Sequence, residues 1–387
     1  MKQEDGGLDD CEGVAELVSD ARGELSDMEE GVSAERGSGC VGFVHDREEY
    51  RVARRRAITP VAPLVRYIVA SAMDILPRGR FAPTPSGALH VGSARTALAS
   101  ALSAWSVGGR WVLRVEDLDA VRAAPGATAA MLDDLRWLGL DWDEGPGVGG
   151  PSAPYAQRDR APLYAATLDW LLARGLVYPC ACSRRDIELA SQAPHGAEPV
   201  YPGTCRDHDP DAVLARARSL GRGVSWRFRT YPDASPVVVR DLLRGFFSQQ
   251  VHREVGDFVV MRADGVASYQ LAVAVDDVAM DITEVVRGDD LLASTPRQVL
   301  LYEALGATLP TWAHLPLVLG GDGERLAKRS GSMGIAALRE RGVSAGWLRG
   351  WLLESLGARD QGALRASAEG FSLAAVDASP VVWRAPG

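Results

Sequence analysis

Arg80-Phe81-Ala82-Pro83-Thr84-Pro85-Ser86-Gly87-Ala88-Leu89-His90-Val91-Gly92-Ser93 joins the end of a short apolar strand to the start of a helix through a turn with the composition of a phosphate cradle. Pro83 and Pro85 fix the backbone and remove donors, while Gly87 and Gly92 permit close backbone approach. The run from Ala94 to Trp105 has helical spacing, so an anion in the turn meets a helix N-terminus. Working outward, apolar strands and helices alternate along the chain. That alternation predicts an α/β fold, a Rossmann-like doubly wound parallel sheet with an insertion between its halves.

The opening segment resembles the HIGH region of class I aminoacyl-tRNA synthetases of the glutamyl branch, with His90-Val91-Gly92-Ser93 in place of His-Ile-Gly-His. Ser93 is the small residue usual at that place in this branch. The resemblance implies that His90 donates to the ATP phosphates as the α-phosphate becomes five-coordinate, an electrostatic role rather than a proton transfer, with Gly92 beside it in the ATP site. Late in the chain, Gly320-Gly-Asp-Gly-Glu-Arg325-Leu-Ala327-Lys328-Arg329-Ser330 resembles the KMSKS loop. Arg325 stands for its first Lys and Ala327 for its Ser, while Lys328 keeps the lysine that touches the phosphates. A lysine suits that task because it is a flexible point charge able to follow a moving phosphate.

Between the loops, Trp111-Val-Leu-Arg-Val-Glu116-Asp117-Leu-Asp119 reads as a buried parallel strand ending in carboxylates, where open α/β sheets bind ligands. A second apolar segment, Ser268 to Asp277, precedes Ile282-Thr-Glu-Val-Val-Arg287-Gly288-Asp289-Asp290. By resemblance, the glutamate pocket comprises Arg80, Phe81, Ala82, Pro83, Thr84, Glu116, Tyr269 and Arg287. Glu116 takes the substrate ammonium, Arg80 faces a carboxylate, Tyr269 donates a hydrogen bond and Arg287 supplies a forked grip. Gln270 departs from the Asn common in that place.

Cys180-Ala-Cys182 and Tyr201-Pro-Gly-Thr-Cys205 bring three thiols into a segment rich in turn residues, a pattern that predicts one structural Zn²⁺ in place of a core that a small insertion cannot build. The cysteines leave the fourth ligand open. Coordination chemistry nominates His195 or His208, because imidazole binds zinc far more often than phenol does. Resemblance to the glutamyl-queuosine enzymes, which hold metal with Cys-x-Cys followed by Tyr-x-x-x-Cys, nominates Tyr201 together with Cys180, Cys182 and Cys205.

The chain has 387 residues, 47% of them hydrophobic, enough to bury a large core. Apolar runs such as Pro63 to Leu76 are short and broken by Arg66 and Asp74, so no membrane span is expected. An acidic N-terminus without an apolar leader, and an odd count of five cysteines, fit a reducing cytoplasm. The net charge of -9 is concentrated in residues 1–35, which hold twelve acids against two bases; the remainder is near neutral and compatible with binding RNA.

The expected layout is an acidic extension at 1–75, a first catalytic half at 76–178, a zinc insertion at 179–215 and a second half at 216–310, then the basic loop with a helical stem at 311–358 and a tail at 359–387. The extension reads as disordered, as residues ahead of a true start near Met73, or as an acidic interaction tail. Helical spacing covers Asp133 to Leu140 and Pro162 to Arg174, and Thr295 to Leu305 opens like a capped helix with Pro at its first position. The final thirty residues carry no clear pattern.

Little chain follows Lys328, less than the roughly 100 residues or more of an anticodon-binding domain. That shortness and the cysteine pattern together resemble the glutamyl-queuosine tRNA(Asp) synthetase family. The resemblance implies an ATP-dependent ligase that activates L-glutamate without tRNA and passes it to queuosine in the anticodon of tRNA(Asp). Mg²⁺ is expected to accompany ATP, and a monomer is favoured. Two rivals are a shortened glutamyl-tRNA synthetase charging the 3′ end of tRNA(Glu), and a catalytically lapsed nucleotide- or RNA-binding module. Retention of His90, Glu116, Arg287 and Lys328 together argues against lapse.

Overall fold

The computed structural model describes residues 77–85, 89–118, 126–191, 200–321, 323 and 334–384. The extension at 1–75, the candidate ligand His195 and the loop residues Arg325, Ala327 and Lys328 lie outside the described residues.

β1 (Arg78–Phe81) leads through the proline-rich turn to α1 (Val91–Ser106), β2 (Arg110–Leu113), α2 (Ala127–Trp137) and α3 (Ala161–Ala173). Next come β3 (Val177–Cys180), α4 (Arg184–Ser191), α5 (Pro210–Ser219), β4 (Ser225–Phe228), the hairpin of β5 (Val237–Asp241) and β6 (Gly245–Gln249), the single turn α6 (Val251–Glu254), and β7 (Phe258–Met261). The chain continues through α7 (Tyr269–Ala279), β8 (Glu284–Gly288), α8 (Thr295–Ala304), β9 (Thr311–Leu315) and β10 (Val318–Leu319), then α9 (Ile335–Glu340), α10 (Ala345–Ser355), α11 (Leu364–Ser367) and β11 (Val381–Val382).

The main sheet has six strands in the order β2-β1-β8-β9-β5-β6, parallel from β2 to β5 and closed at the edge by the antiparallel β5–β6 hairpin. Its strands read as continuous apolar runs because both faces are covered. Trp111, Leu113, Val286, Ala313 and Leu315 pack toward α1 and α10, while Val112, Val285 and Trp312 pack toward α3, α7 and α8. This alternation is the two-residue period of a strand with a core on each side.

β3, β4 and β7 form a separate antiparallel sheet of three strands. Sequence spacing drew the insertion at 179–215, whereas this small sheet takes its strands from 177 to 261, with β5 and β6 leaving it to join the main sheet. Helix boundaries also move. The helix expected from Asp133 starts at Ala127 and stops at Trp137, because Gly139 takes φ +78° and the amides of Gly139 and Leu140 turn back to the carbonyls of Arg136 and Leu135. In α8, Ser294 is the N-cap and Thr295 the first helical residue, which frees the Thr295 hydroxyl for the site described below.

The described part of the tail, up to residue 384, is structured. β11 pairs in parallel with β10, Trp383 is 4% exposed, and its ring meets Trp351 edge-on at 4.6 Å. Residues without a sequence signal thus complete the core on the α1 face. No helix among the described residues is long and apolar enough to cross a membrane.

Candidate active site

The predicted pocket residues converge at the C-terminal ends of β1, β2 and β8. Past the strands, the backbone after β2 keeps running beside the backbone after β1: Arg114 donates its amide to the Phe81 carbonyl at 3.0 Å and Glu116 to the Pro83 carbonyl at 3.0 Å. Phe81, Ala82, Pro83 and Thr84 therefore lie alongside Glu116. Tyr269 enters from the first turn of α7, whose N-cap Ser268 accepts a hydrogen bond from the Leu271 amide. Arg287 comes from β8, the neighbour of β1. Burial pushes the Tyr269 phenol above its ordinary pKa, with Arg287 and Arg80 opposing the rise and Glu116 and Asp277 adding to it. One phenol is thus surrounded by all three charged residues that the sequence assigned to the pocket.

Beneath them lies a buried charge network that sequence reasoning missed. Arg114, fully buried, donates to Asp277 at 2.6 Å and to Glu116 at 3.3 Å and lies 3.6 Å from Asp276. Arg80 also donates to Asp277, through Nε and Nη2 at 3.3 Å each. Its guanidinium therefore already has one carboxylate, which the expectation of a substrate-facing Arg80 did not include. Asp276 is held by Gln157, Arg160 and Tyr164. One signal was available: an arginine inside the apolar run Trp111 to Val115 can be buried only beside carboxylates. Burial would raise the Asp277 carboxyl, yet Arg114 and Arg80 outweigh it and hold the group below the usual range. Glu116 goes the other way: burial raises it, and Arg114 and Arg80 offset this only in part. A cation arriving at Glu116 therefore meets a carboxylate that gains from it.

Arg287 is 4% exposed and, among the described residues, forms no ion pair with a carboxylate. Its donors go to neutral acceptors: His314 Nε2 at 2.9 Å, Gln298 Oε1 at 2.9 Å, Thr295 Oγ1 at 2.8 Å and the Leu291 carbonyl at 3.4 Å. A buried guanidinium held only by neutral groups is costly until an anion approaches it. Burial lowers its pKa and the charge of Arg80 adds to that, with Tyr269 and the more distant charge of Asp277 opposing them only in part, so an incoming carboxylate would relieve the strain. His314, Gln298 and Thr295 were not assigned to the site by the sequence reading; a histidine inside the apolar strand β9 was the signal.

At the turn, His90 is the N-cap of α1 and its Nδ1 accepts from the Ser93 amide at 3.2 Å. In the neutral ring this places the proton on Nε2, which lies 2.9 Å from Ser93 Oγ, so the imidazole is held against the N-terminus of α1. Gly92 leaves room for that ring, since a Cβ there would sit 3.2 Å from two of its atoms. Gly334, which follows the basic segment, bridges antiparallel to His90, and the Ile335 amide donates to the Leu89 carbonyl at 2.7 Å. The chain at Gly334 and Ile335 is thereby tied to Leu89 and His90; Lys328 lies outside the described residues.

The three thiols also converge. The sulfurs of Cys180, Cys182 and Cys205 all lie within 4.8 Å of one another, with Cys182 and Cys205 3.6 Å apart. Cys180 Sγ is 3.3 Å from the Tyr201 hydroxyl, which also accepts the Cys205 amide at 2.9 Å. Hydrogen bonds from Cys182 and Cys205 hold the Cys180 thiol well below its usual pKa, while contacts with Cys180 and Cys205 push Cys182 up. Three sulfurs this close are a donor set that could hold a soft cation. His208 is exposed and outside this group, and His195 lies outside the described residues.

A parallel sheet carrying a phosphate-type turn, next to a cleft that pairs a needy carboxylate with a needy guanidinium, is the architecture of a class I aminoacyl-tRNA synthetase core. A family profile described as "tRNA synthetases class I (E and Q), catalytic domain" matches residues 78–359, and the chain belongs to that family. It is 52% identical over 287 residues to a glutamyl-Q tRNA(Asp) synthetase of Symbiobacterium thermophilum, a match covering 73% of this chain and 87% of that protein. It is 48% identical over 267 residues to glutamate–tRNA ligase 1 of Halorhodospira halophila, covering 68% of this chain and 55% of that one. A crystal structure of a glutamate tRNA ligase from Elizabethkingia meningosepticum superposes with a TM-score of 0.70 at 29% identity, over 80% of this chain and 67% of that one.

Proposed function

We propose that this protein activates L-glutamate with ATP, without tRNA, and transfers it to the queuosine base in the anticodon of tRNA(Asp). The observation that carries the amino-acid half is the pairing of Arg287, buried without a carboxylate ion-pair partner among the described residues, with Glu116, a buried carboxyl raised above its usual range. Together they call for a ligand bearing both a carboxylate and an ammonium. Arg80 and Tyr269 border the same space and favour a second negative end. In the first step a glutamate carboxylate oxygen attacks the α-phosphorus and pyrophosphate leaves. In the second a hydroxyl of the modified base attacks the mixed anhydride and AMP leaves, its proton passing to solvent. No side-chain nucleophile is needed. His90 and Lys328, with the amides at the start of α1, stabilise charge on the phosphates, and Mg²⁺ accompanies the nucleotide.

The acceptor half rests on similarity. The chain spans 87% of the glutamyl-Q relative but 55% of the glutamate–tRNA ligase, and it reproduces the Cys-x-Cys with Tyr-x-x-x-Cys pattern. Glutamate-dependent exchange of pyrophosphate into ATP is expected with no tRNA added. Labelled glutamate should appear on tRNA(Asp), survive enzymatic trimming of the 3′ end, and be absent from tRNA made without queuosine. Label on the 3′ adenosine of tRNA(Glu) would establish the 3′-charging alternative instead.

The thiol cluster fits a structural zinc site, with Cys180, Cys182 and Cys205 as ligands and Tyr201 as the fourth. Metal analysis should find about one zinc per chain. Cys182→Ser should release it and loosen the sheet of β3, β4 and β7. In Tyr201→Phe the phenolic oxygen alone is lost; zinc retained there but lost from His208→Ala would transfer the fourth position to the histidine.

A further inference from the structure

We propose that His314, held in one tautomer by Asp241, is a positioning residue that fixes the Arg287 guanidinium for glutamate. The inference rests on the reading of Arg287 as a glutamate-binding residue. Its chemistry is decided by a donor count. Arg287 Nε carries a hydrogen and can only donate, so His314 Nε2, 2.9 Å away, must accept. The ring is then neutral with its proton on Nδ1, which lies 2.5 Å from Asp241 Oδ2 and donates to it. Burial lowers the imidazole below its usual pKa, the hydrogen bond to Asp241 opposes this, and the charges of Arg287 and Arg80 add to the lowering. An imidazolium there would have no acceptor to offer Arg287.

All three groups are buried, His314 at 0%, Asp241 at 3% and Arg287 at 4% exposure. They come from β9, β5 and β8, consecutive in the sheet order as β8-β9-β5, so the relay runs along the sheet. Asp241 is itself pinned by the amides of Leu243, Arg244 and His314. With Nε spent on His314, one Nη1 hydrogen on Gln298 and Nη2 on Thr295 and the Leu291 carbonyl, one Nη1 hydrogen remains for an incoming carboxylate and its direction is fixed. A guanidinium fixed in this way meets a carboxylate without paying side-chain ordering at the moment of binding.

The test compares His314→Leu with His314→Gln in pyrophosphate exchange. Both fill the volume, but Gln alone offers Arg287 an oxygen and Asp241 an N–H. His314→Leu should raise the glutamate KM on the order of 10- to 100-fold, the size of a lost hydrogen bond to a charged group, with the ATP KM and kcat moving by no more than about three-fold. His314→Gln should return the glutamate KM to within about five-fold of wild type. If His314→Leu fails to fold, His314→Asn replaces it, because its shorter amide stays beside Asp241 and cannot reach Arg287. A folded Leu or Asn variant with wild-type glutamate KM overturns the inference, as does equal damage in the Gln and Leu variants. Arg287→Ala in the same assay separates the two failures: a large KM rise there keeps the pocket reading when His314 proves irrelevant, and an unchanged KM removes the pocket reading and this inference with it.

Discussion

Arg287→Ala should raise the glutamate KM by roughly 30-fold to several thousand-fold, corresponding to about 2–5 kcal/mol for removing one partner of a buried, hydrogen-bonded charge pair. The wild-type guanidinium is held by His314, Gln298 and Thr295 with no carboxylate paired to it among the described residues, so on the proposed reading a substrate carboxylate would supply the countercharge. The alanine variant loses that attraction and leaves His314 Nε2 and Gln298 Oε1 buried without the donor they share. Arg287→Lys should recover little, because an ammonium lacks the fork that reaches those acceptors and a carboxylate together. ATP binding should change by no more than a few-fold, since the phosphate turn at His90 makes none of these contacts. The measurement is pyrophosphate exchange over a matrix of glutamate and ATP concentrations. A variant that keeps its glutamate KM and loses ATP affinity instead would relocate the carboxylate pocket.

Arg114→Met should cost about 3–5 kcal/mol and lower the unfolding temperature by roughly 10 °C, because it leaves Asp277, Asp276 and Glu116 around a vacated positive charge. The effect should depend on pH with a definite sign. In the wild type, Asp277 has a folded pKa below its unfolded value, so its stabilisation is complete above about 3.9 and lost as pH falls through the folded value. In the variant, burial acts on Asp277 with Arg80 and the Tyr302 hydroxyl left to oppose it, and protonation becomes the cheaper state as pH falls. The stability difference between the two proteins should therefore be widest near pH 7 and narrow toward pH 4. Equal differences at both values, read by urea unfolding, would mean that Arg114 acts through packing and not through its charge.

How far the site could be read from the chain depended on how local each part is. His90, Gly92, Arg80 and Phe81 to Thr84 sit within one short stretch of sequence, whose proline and glycine content restricts its backbone whatever surrounds it. The cysteines were equally legible, since Cys180 and Cys182 flank one residue and their sulfurs meet Cys205 within 4.8 Å. Tyr269 and Arg287 became legible through family resemblance alone; taken singly, an aromatic and an arginine carry no such message. The ends of elements were read less well. Gly139 stops α2 through a positive φ that the apolar spacing did not report, and Trp383 earns its place by packing on Trp351, a contact spanning more than thirty residues of sequence.

The amino-acid sequence by itself determined the alternation of strands and helices, the phosphate turn leading into α1, and the residue types lining the pocket. Those follow from periodicity and from local backbone chemistry. Tertiary structure alone decided which charges meet. Asp241, Arg287 and His314 face one another because β5, β9 and β8 are neighbours in the sheet, and Arg114 reaches Asp277 because α7 packs across the end of β2. Strand order is set by crossovers that bury apolar faces on both sides of the sheet. A buried ion pair is favourable only when that packing brings its partners within hydrogen-bond distance, and no spacing along the chain encodes such a distance.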